Sequence, residues 1–139
     1  MKNLTMFTAL FLPILLFCSF TFFTQDKMKI IRYTKTNNGF LVIEYSEGKI
    51  KKQIKRNQIM TYNLPFSDKN EIENEISKLE ISELVNHIDS IAATKNTLGI
   101  ANMYMFIQGN DTVKTRFFSK EQTPLALKRL DFLLYKNRK

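Results

Sequence analysis

FLVIEYSEGKIKKQIKR, Phe40 to Arg56, decides the fold. Two runs of alternating side chains flank Glu47-Gly48. A two-residue turn there sets Tyr45 across from Ile50, Ile43 across from Lys52 and Leu41 across from Ile54. That register gathers the apolar residues on one face and puts Glu44 beside Lys51 on the other, a favourable opposite-charge pair. The hairpin turns that suit twisted strands need positive φ, which glycine adopts at no steric cost. Working backward, MKIIRYTK (28–35) leads into Asn38-Gly39, a second turn signal of the same kind. Residues 28–56 therefore read as a basic antiparallel meander.

The third run carries Lys49, Lys51, Lys52, Lys55 and Arg56. Lysines in a row discourage a sheet edge from recruiting another chain. The same five residues also form a candidate surface for an anion or a partner. Beyond them, IMTYNLPFS (59–67) reads as an ordered connection, with 57–63 able to add a short strand. Pro65 holds Leu64 out of helical geometry, and Tyr62, Leu64 and Phe66 pack at the sheet edge.

A long helix is expected over Asp68 to Ala93. Asp68 followed by Glu71 has capping-box spacing, and Ile72, Ile76, Leu79, Leu84, Ile88 and Ile91 form one apolar stripe. Ile81 breaks the spacing, so the face shifts or the helix bends near Ser82. The stripe needs a cover, and the face of Leu41, Ile43, Tyr45, Ile50 and Ile54 supplies one. Lys95, Asn96, Thr97 and Gly99 then turn the chain. A second hairpin follows, IANMYMFIQ and TVKTRFF around Gly109-Asn110-Asp111. A three-residue loop pairs Ile107 with Val113, Met105 with Thr115 and Met103 with Phe117. A two-residue loop instead groups Tyr104 and Phe106 with Val113, Thr115 and Phe117. The three-residue loop is preferred because it separates the basic side chains from the Met-rich face. It places Tyr104 and Phe106 beside Lys114 and Arg116, a candidate aromatic-basic surface of the type that single-stranded nucleic acid or glycan uses. The competing reading is a sheet packed on both faces. A last helix starts at Thr123-Pro124 and buries Leu125, Leu127, Leu130, Leu133 and Leu134, with Ala126 and Phe132 helping. Lys136, Arg138 and Lys139 complement its negative end.

Upstream of the meander, Leu4 to Phe23 holds twenty residues without a charge. At ~1.5 Å per residue such a helix matches a hydrocarbon core of ~30 Å. Retained anchor and cleaved secretory signal are both open readings. The apolar body is long for a signal, and Phe22 and Phe23 stand where a signal peptidase prefers small side chains. Cys18 sits where a lipoprotein leader carries its lipidated cysteine, but Phe17 before it is too large for that signal. Residues 1–24 are thus the membrane anchor or signal, and 25–139 one small basic domain. The expected location is membrane-anchored or exported, in periplasm or envelope, with the membrane as a partner through residues 4–23.

The chain has 21 Lys and Arg against 13 Asp and Glu, a net charge of +8. That balance favours anionic surroundings or an acidic envelope partner, while an exported location disfavours nucleic acid. Cys18 is the single cysteine and His87 the single histidine, and there are four glycines. The domain therefore offers no thiol nucleophile, no histidine-based triad, no convincing metal set and no glycine-rich phosphate loop. No catalytic residue, metal or cofactor is assigned. Carboxylate chemistry, with Asp111 meeting Glu121 or Asp131, is the enzyme alternative.

ISELVNHIDSI, the MFIQGNDTV turn and SKEQTPLALKRLDFLL together resemble small exported proteins of Bacteroidota. The resemblance spans about two thirds of the chain. It implies an envelope location and transfers no catalytic residue. The expectation is an α+β domain, its antiparallel sheet of about five strands built from meander and hairpin, with a long helix between them and a helix at the end. Its expected role is non-enzymatic binding or structure at the envelope.

Overall fold

The computed structural model describes residues 27–94 and 99–136, apart from the side chains of 93 and 94. The apolar segment, Cys18, the turn at Lys95 to Thr97 and the tail residues Arg138 and Lys139 lie outside the described residues. Over the described residues the fold is α+β, with a seven-stranded sheet and three α-helices. Strands β1 (Lys29–Thr36), β2 (Gly39–Ser46), β3 (Lys49–Lys55) and β4 (Gln58–Asn63) form the meander. Helices α1 (Phe66–Ser77) and α2 (Ile81–Thr94) follow. Then come β5 (Ala101–Gln108), β6 (Asp111–Lys114), β7 (Phe118–Ser119), one 3₁₀ turn and helix α3 (Leu125–Tyr135). The sheet order is β4-β3-β2-β1-β5-β6, with β7 also on β5, and every pairing is antiparallel.

The β2–β3 register is the expected one: Tyr45 faces Ile50, Ile43 faces Lys52 and Glu44 faces Lys51. Glu47 and Gly48 have φ of 50° and 76°, the left-handed pair the turn requires. Gly48 is constrained a second way, since an added Cβ would sit 2.9 Å from the Lys69 stem on α1. In the first hairpin the turn pair is Asn37-Asn38, one residue earlier than expected, because Thr36 pairs with Gly39. Ile54 does not join the core. The β3–β4 register shifts between Gln53 and Lys55, and Ile54 is left exposed.

Two expected elements change. Residues 58–63 form the short strand that 57–63 is able to add, and with β7 the sheet has seven strands rather than about five; β4 rather than β3 is then the sheet edge, and the lysine row of β3 does not guard one. The long helix is two helices, broken over Lys78 to Glu80. Lys78 closes α1 with its N–H on the Glu75 carbonyl, and the Leu79 N–H takes the Ile76 carbonyl. Helix α1 starts at Phe66 behind Pro65, two residues before Asp68, so Asp68 is a first-turn acid rather than a cap. The break lets each short helix aim its own apolar residues, Ile72 from α1 and Leu84 and Ile88 from α2, at one core.

That core lies on one face of the sheet. Ile30, Ile43, Tyr45, Ile50, Tyr104 and Phe106 meet the helix residues together with Leu127, Leu130, Leu133 and Leu134 of α3. Leu125, Ala126 and Phe132, expected to be buried, point outward. The Tyr45 hydroxyl donates to Glu73 Oε1 at 3.4 Å, joining β2 to α1. Burial and the Glu73 charge push that phenol up to about 12.

Candidate functional site

The β5–β6 hairpin turns over two residues, pairing Gln108 with Asp111, Phe106 with Val113 and Met105 with Lys114. This overturns the preferred three-residue loop. It places Tyr104 and Phe106 under the helices, 0% and 3% exposed, so they form no surface with Lys114 and Arg116. The Tyr104 ring stacks with both Phe106 and Phe118, at centroid distances of 6.0 and 6.1 Å. Past Lys114 the edge is interrupted. Thr115 replaces a regular ladder contact: its N–H donates to the Tyr104 carbonyl at 2.9 Å and its Oγ1 accepts from the Tyr104 N–H at 3.0 Å. The Arg116 N–H donates to Asp89 Oδ1 of α2 at 2.7 Å. This bulge sends Phe117 and Phe118 to opposite faces.

The face opposite the helices has a composition of its own. By register it carries Ile31 and Tyr33 of β1, Phe40 and Val42 of β2, and Met103, Met105 and Ile107 of β5. Tyr33 stacks on Phe40 at 5.9 Å and meets the edge of Phe117 at 5.8 Å. Among the described residues no helix lies on this face, and these apolar side chains are partly exposed. Lys29, Lys35, Lys49, Lys51 and Lys114 share the face, against Glu44 as its one carboxylate among the described residues. Glu44 lies 3.0 Å from Lys29 and 3.6 Å from Lys51. Strand alternation therefore divides the five basic residues anticipated as one patch. Lys49 and Lys51 belong to the open face. Lys52 takes the helix-side register beside Ile43, and Lys55 and Arg56 sit at the β3–β4 turn. The aromatic side chains beside the lysines of this face are Tyr33, Phe40 and Phe117, and the expected surface of Tyr104, Phe106, Lys114 and Arg116 does not form, because its two aromatics are buried.

A second feature lies between β1, β5 and α3. Arg32 occupies a core-face position on β1 and is 6% exposed, and Asn102 beside it on β5 is 1% exposed. Arg32 Nη2 donates to Asn102 Oδ1 at 3.1 Å, and the Thr34 hydroxyl donates to the same oxygen at 3.0 Å. A guanidinium only donates, so the amide oxygen must face it and the amide nitrogen points away. Asp131 of α3 places Oδ2 at 3.4 Å from Arg32 Nη2. The Tyr135 ring lies 4.6 Å from the guanidinium carbon, within cation–π range. Burial raises the Asp131 carboxyl to about 6, against the opposing pull of Arg32. Four buried polar atoms of this cluster have no partner: Arg32 Nε, Asn102 Nδ2, Asp131 Oδ1 and Tyr104 Oη. A cavity of about 500 Å³ opens beside it, lined by Arg32, Asn102, Asp131 and Lys120 among the polar residues and by Ile100, Phe132 and Tyr135 among the apolar ones.

Asp131 thus pairs with a base rather than with a second acid, and Asp111 and Glu121 are exposed. His87 is exposed on α2, and among the described residues no group of three or more His, Cys, Asp or Glu is placed to hold a metal. Nor, among them, is any helix long and apolar enough to cross a membrane. No family model, curated protein or solved structure matches the chain.

Proposed function

We propose that this is a non-enzymatic, envelope-associated binding domain whose open sheet face lies against an anionic lipid surface. One observation carries the reading: the uncovered face combines an apolar centre with five lysines and one carboxylate. A contiguous exposed apolar patch rimmed by polar residues marks an interaction surface. Lysines near an anionic leaflet contribute about 1 kcal/mol each. The apolar segment 4–23 acts in the same direction. Only residues 24–28 separate it from Lys29, and five residues reach at most about 18 Å at full extension. With that segment in a bilayer, β1 begins at the headgroups. Calcium, metal and nucleophile chemistry play no part in this reading, which rests on charge and apolar area alone.

The test uses residues 25–139, which contain every core residue among those described. Binding to vesicles with one third anionic lipid should exceed binding to neutral vesicles and weaken as salt rises, since screening acts over ~8 Å at physiological ionic strength. Changing Lys35, Lys49 and Lys114 together to Gln should weaken attachment at least tenfold. Changing Lys52, Lys55 and Arg56 to Gln should cost less. Equal losses from the two triples, or no preference for anionic vesicles, would reject the face and leave a protein partner as the competing reading.

A further inference from the structure

We infer that the cavity beside Arg32 binds a small amphipathic carboxylate, its head among Arg32, Asn102 and Lys120 and its apolar body against Phe132, Tyr135 and Ile100. The chemistry of the head follows from the hydrogen-bond inventory. Among the cavity residues the unpartnered buried atoms are two donors, Arg32 Nε and Asn102 Nδ2, and one acceptor, Asp131 Oδ1. Lys120 at the mouth adds a third donor and a positive charge. Donors in excess call for an acceptor, and an arginine beside an amide fits the two oxygens of a carboxylate. Leaving such donors buried and unmet is costly, so a ligand that meets them recovers what the free protein lacks.

The walls specify the rest of the molecule. Phe132 is 55% exposed, Ile100 51% and Tyr135 38%, three large apolar side chains gathered at one opening. Phe132 points outward from α3, whose inward leucines are all fully packed. Arg129 lies over the Phe132 ring at 5.4 Å and holds it at the rim. The volume, about 500 Å³, lies in the ordinary range for small-molecule sites. It suits a straight-chain or aromatic acid of about eight to twelve carbons rather than a bare anion. The site opens between β1, β5 and α3, and its polar residues all belong to the helix side of the sheet. It is therefore separate from the lysine face and independent of that proposal.

Octanoate is the probe, titrated against the full-length protein in detergent-free nanodiscs made from neutral lipid, with the Asn102 side-chain amide followed by NMR. Saturable shifts of that amide and of the Tyr135 ring are expected, with octanol at least tenfold weaker because it lacks the charged acceptor. Sodium acetate, which has the head without the body, should also be at least tenfold weaker. Lys120→Gln and Phe132→Ser change exposed residues and should keep the fold while weakening octanoate several-fold each. Arg32→Gln should abolish the preference for octanoate over octanol. Should that variant not fold, the Lys120→Gln and Phe132→Ser titrations decide. Equal binding of octanol and octanoate, or no saturable shift at Asn102, overturns the inference. So would octanoate affinity unchanged in both surface variants.

Discussion

Replacing Asp131 by Asn separates two opposed effects on one side chain. The carboxyl is buried against α3 and β1, which disfavours its charge, while Arg32 Nη2 at 3.4 Å favours it. Burial prevails, and the group titrates at about 6 instead of 3.8. A folded-state value above the unfolded one means that the native protein holds this proton more tightly. The stabilisation is fully present below pH ~4, falls as pH rises through ~6 and is then exhausted. A shift of about two units at ~1.4 kcal/mol each corresponds to a loss of about 3 kcal/mol in all, of which about 2.5 kcal/mol falls between pH 4 and pH 7. Asn keeps the volume and an oxygen for Arg32 but cannot ionise. Urea unfolding of both proteins at pH 4, 5, 6 and 7, extrapolated to water, gives the difference at each pH. Relative to Asp131→Asn, the parent should lose about 2.5 kcal/mol across that range, with most of the change between pH 4.5 and 6.5. The remaining carboxylates cancel in the comparison, since both proteins carry them. If the parent instead gains on the variant as pH rises, the Arg32 attraction outweighs burial and the account of this cluster is wrong.

Ile88→Ala should destabilise by about 2–5 kcal/mol, because Ile88 is fully packed between α2 and the sheet, whereas Leu125→Ala should stay within about 0.5 kcal/mol, because that side chain is 82% exposed; chemical denaturation of the pair tests the burial pattern directly, and equal losses would contradict it. Thr115→Val keeps the shape but removes the acceptor for the Tyr104 N–H, so a loss of about 1–3 kcal/mol is expected together with faster amide exchange at Tyr104; unchanged exchange there would show that the bulge does not depend on the hydroxyl.

The β2–β3 hairpin was legible because its signals agree: a glycine at the second of the two turn positions that need positive φ, and alternation that puts Tyr45, Ile43 and Ile50 on the same side. The β5–β6 hairpin was not, because both sides of β5 are apolar. Met103, Met105 and Ile107 look as buriable as Tyr104 and Phe106, and only the helix layer selects between them. The helix break at Lys78 to Glu80 had a local trace in the misplaced Ile81, yet spacing alone does not distinguish a bend from two helices. The Arg32 cluster left the faintest mark. In KIIRYTKT, Ile31 and Tyr33 are more apolar than Arg32 and Thr34, so local pattern favours the wrong face. Arg32 is buried because Asn102 and Asp131, remote in sequence, come to meet it. The split of the basic residues, by contrast, follows from strand alternation and was readable: Lys51 and Lys52 are neighbours and must face apart.

The position of β1 at the centre of the sheet has a consequence for the order of assembly. Its pairing with β2 closes over a two-residue turn, and β3 and β4 add by equally local steps. Its other side waits for β5, which joins only after two helices have been traversed. Loop-closure entropy places that long-range pairing after the local hairpins. An intermediate with β1 to β4 formed presents the open hydrogen-bonding side of β1, with Ile30 and Ile31 on it, as a template for another chain. The chain most able to complete it correctly is its own β5, so conditions that delay the arrival of residues 101–108 should divert nascent molecules toward aggregation rather than toward slow but faithful folding.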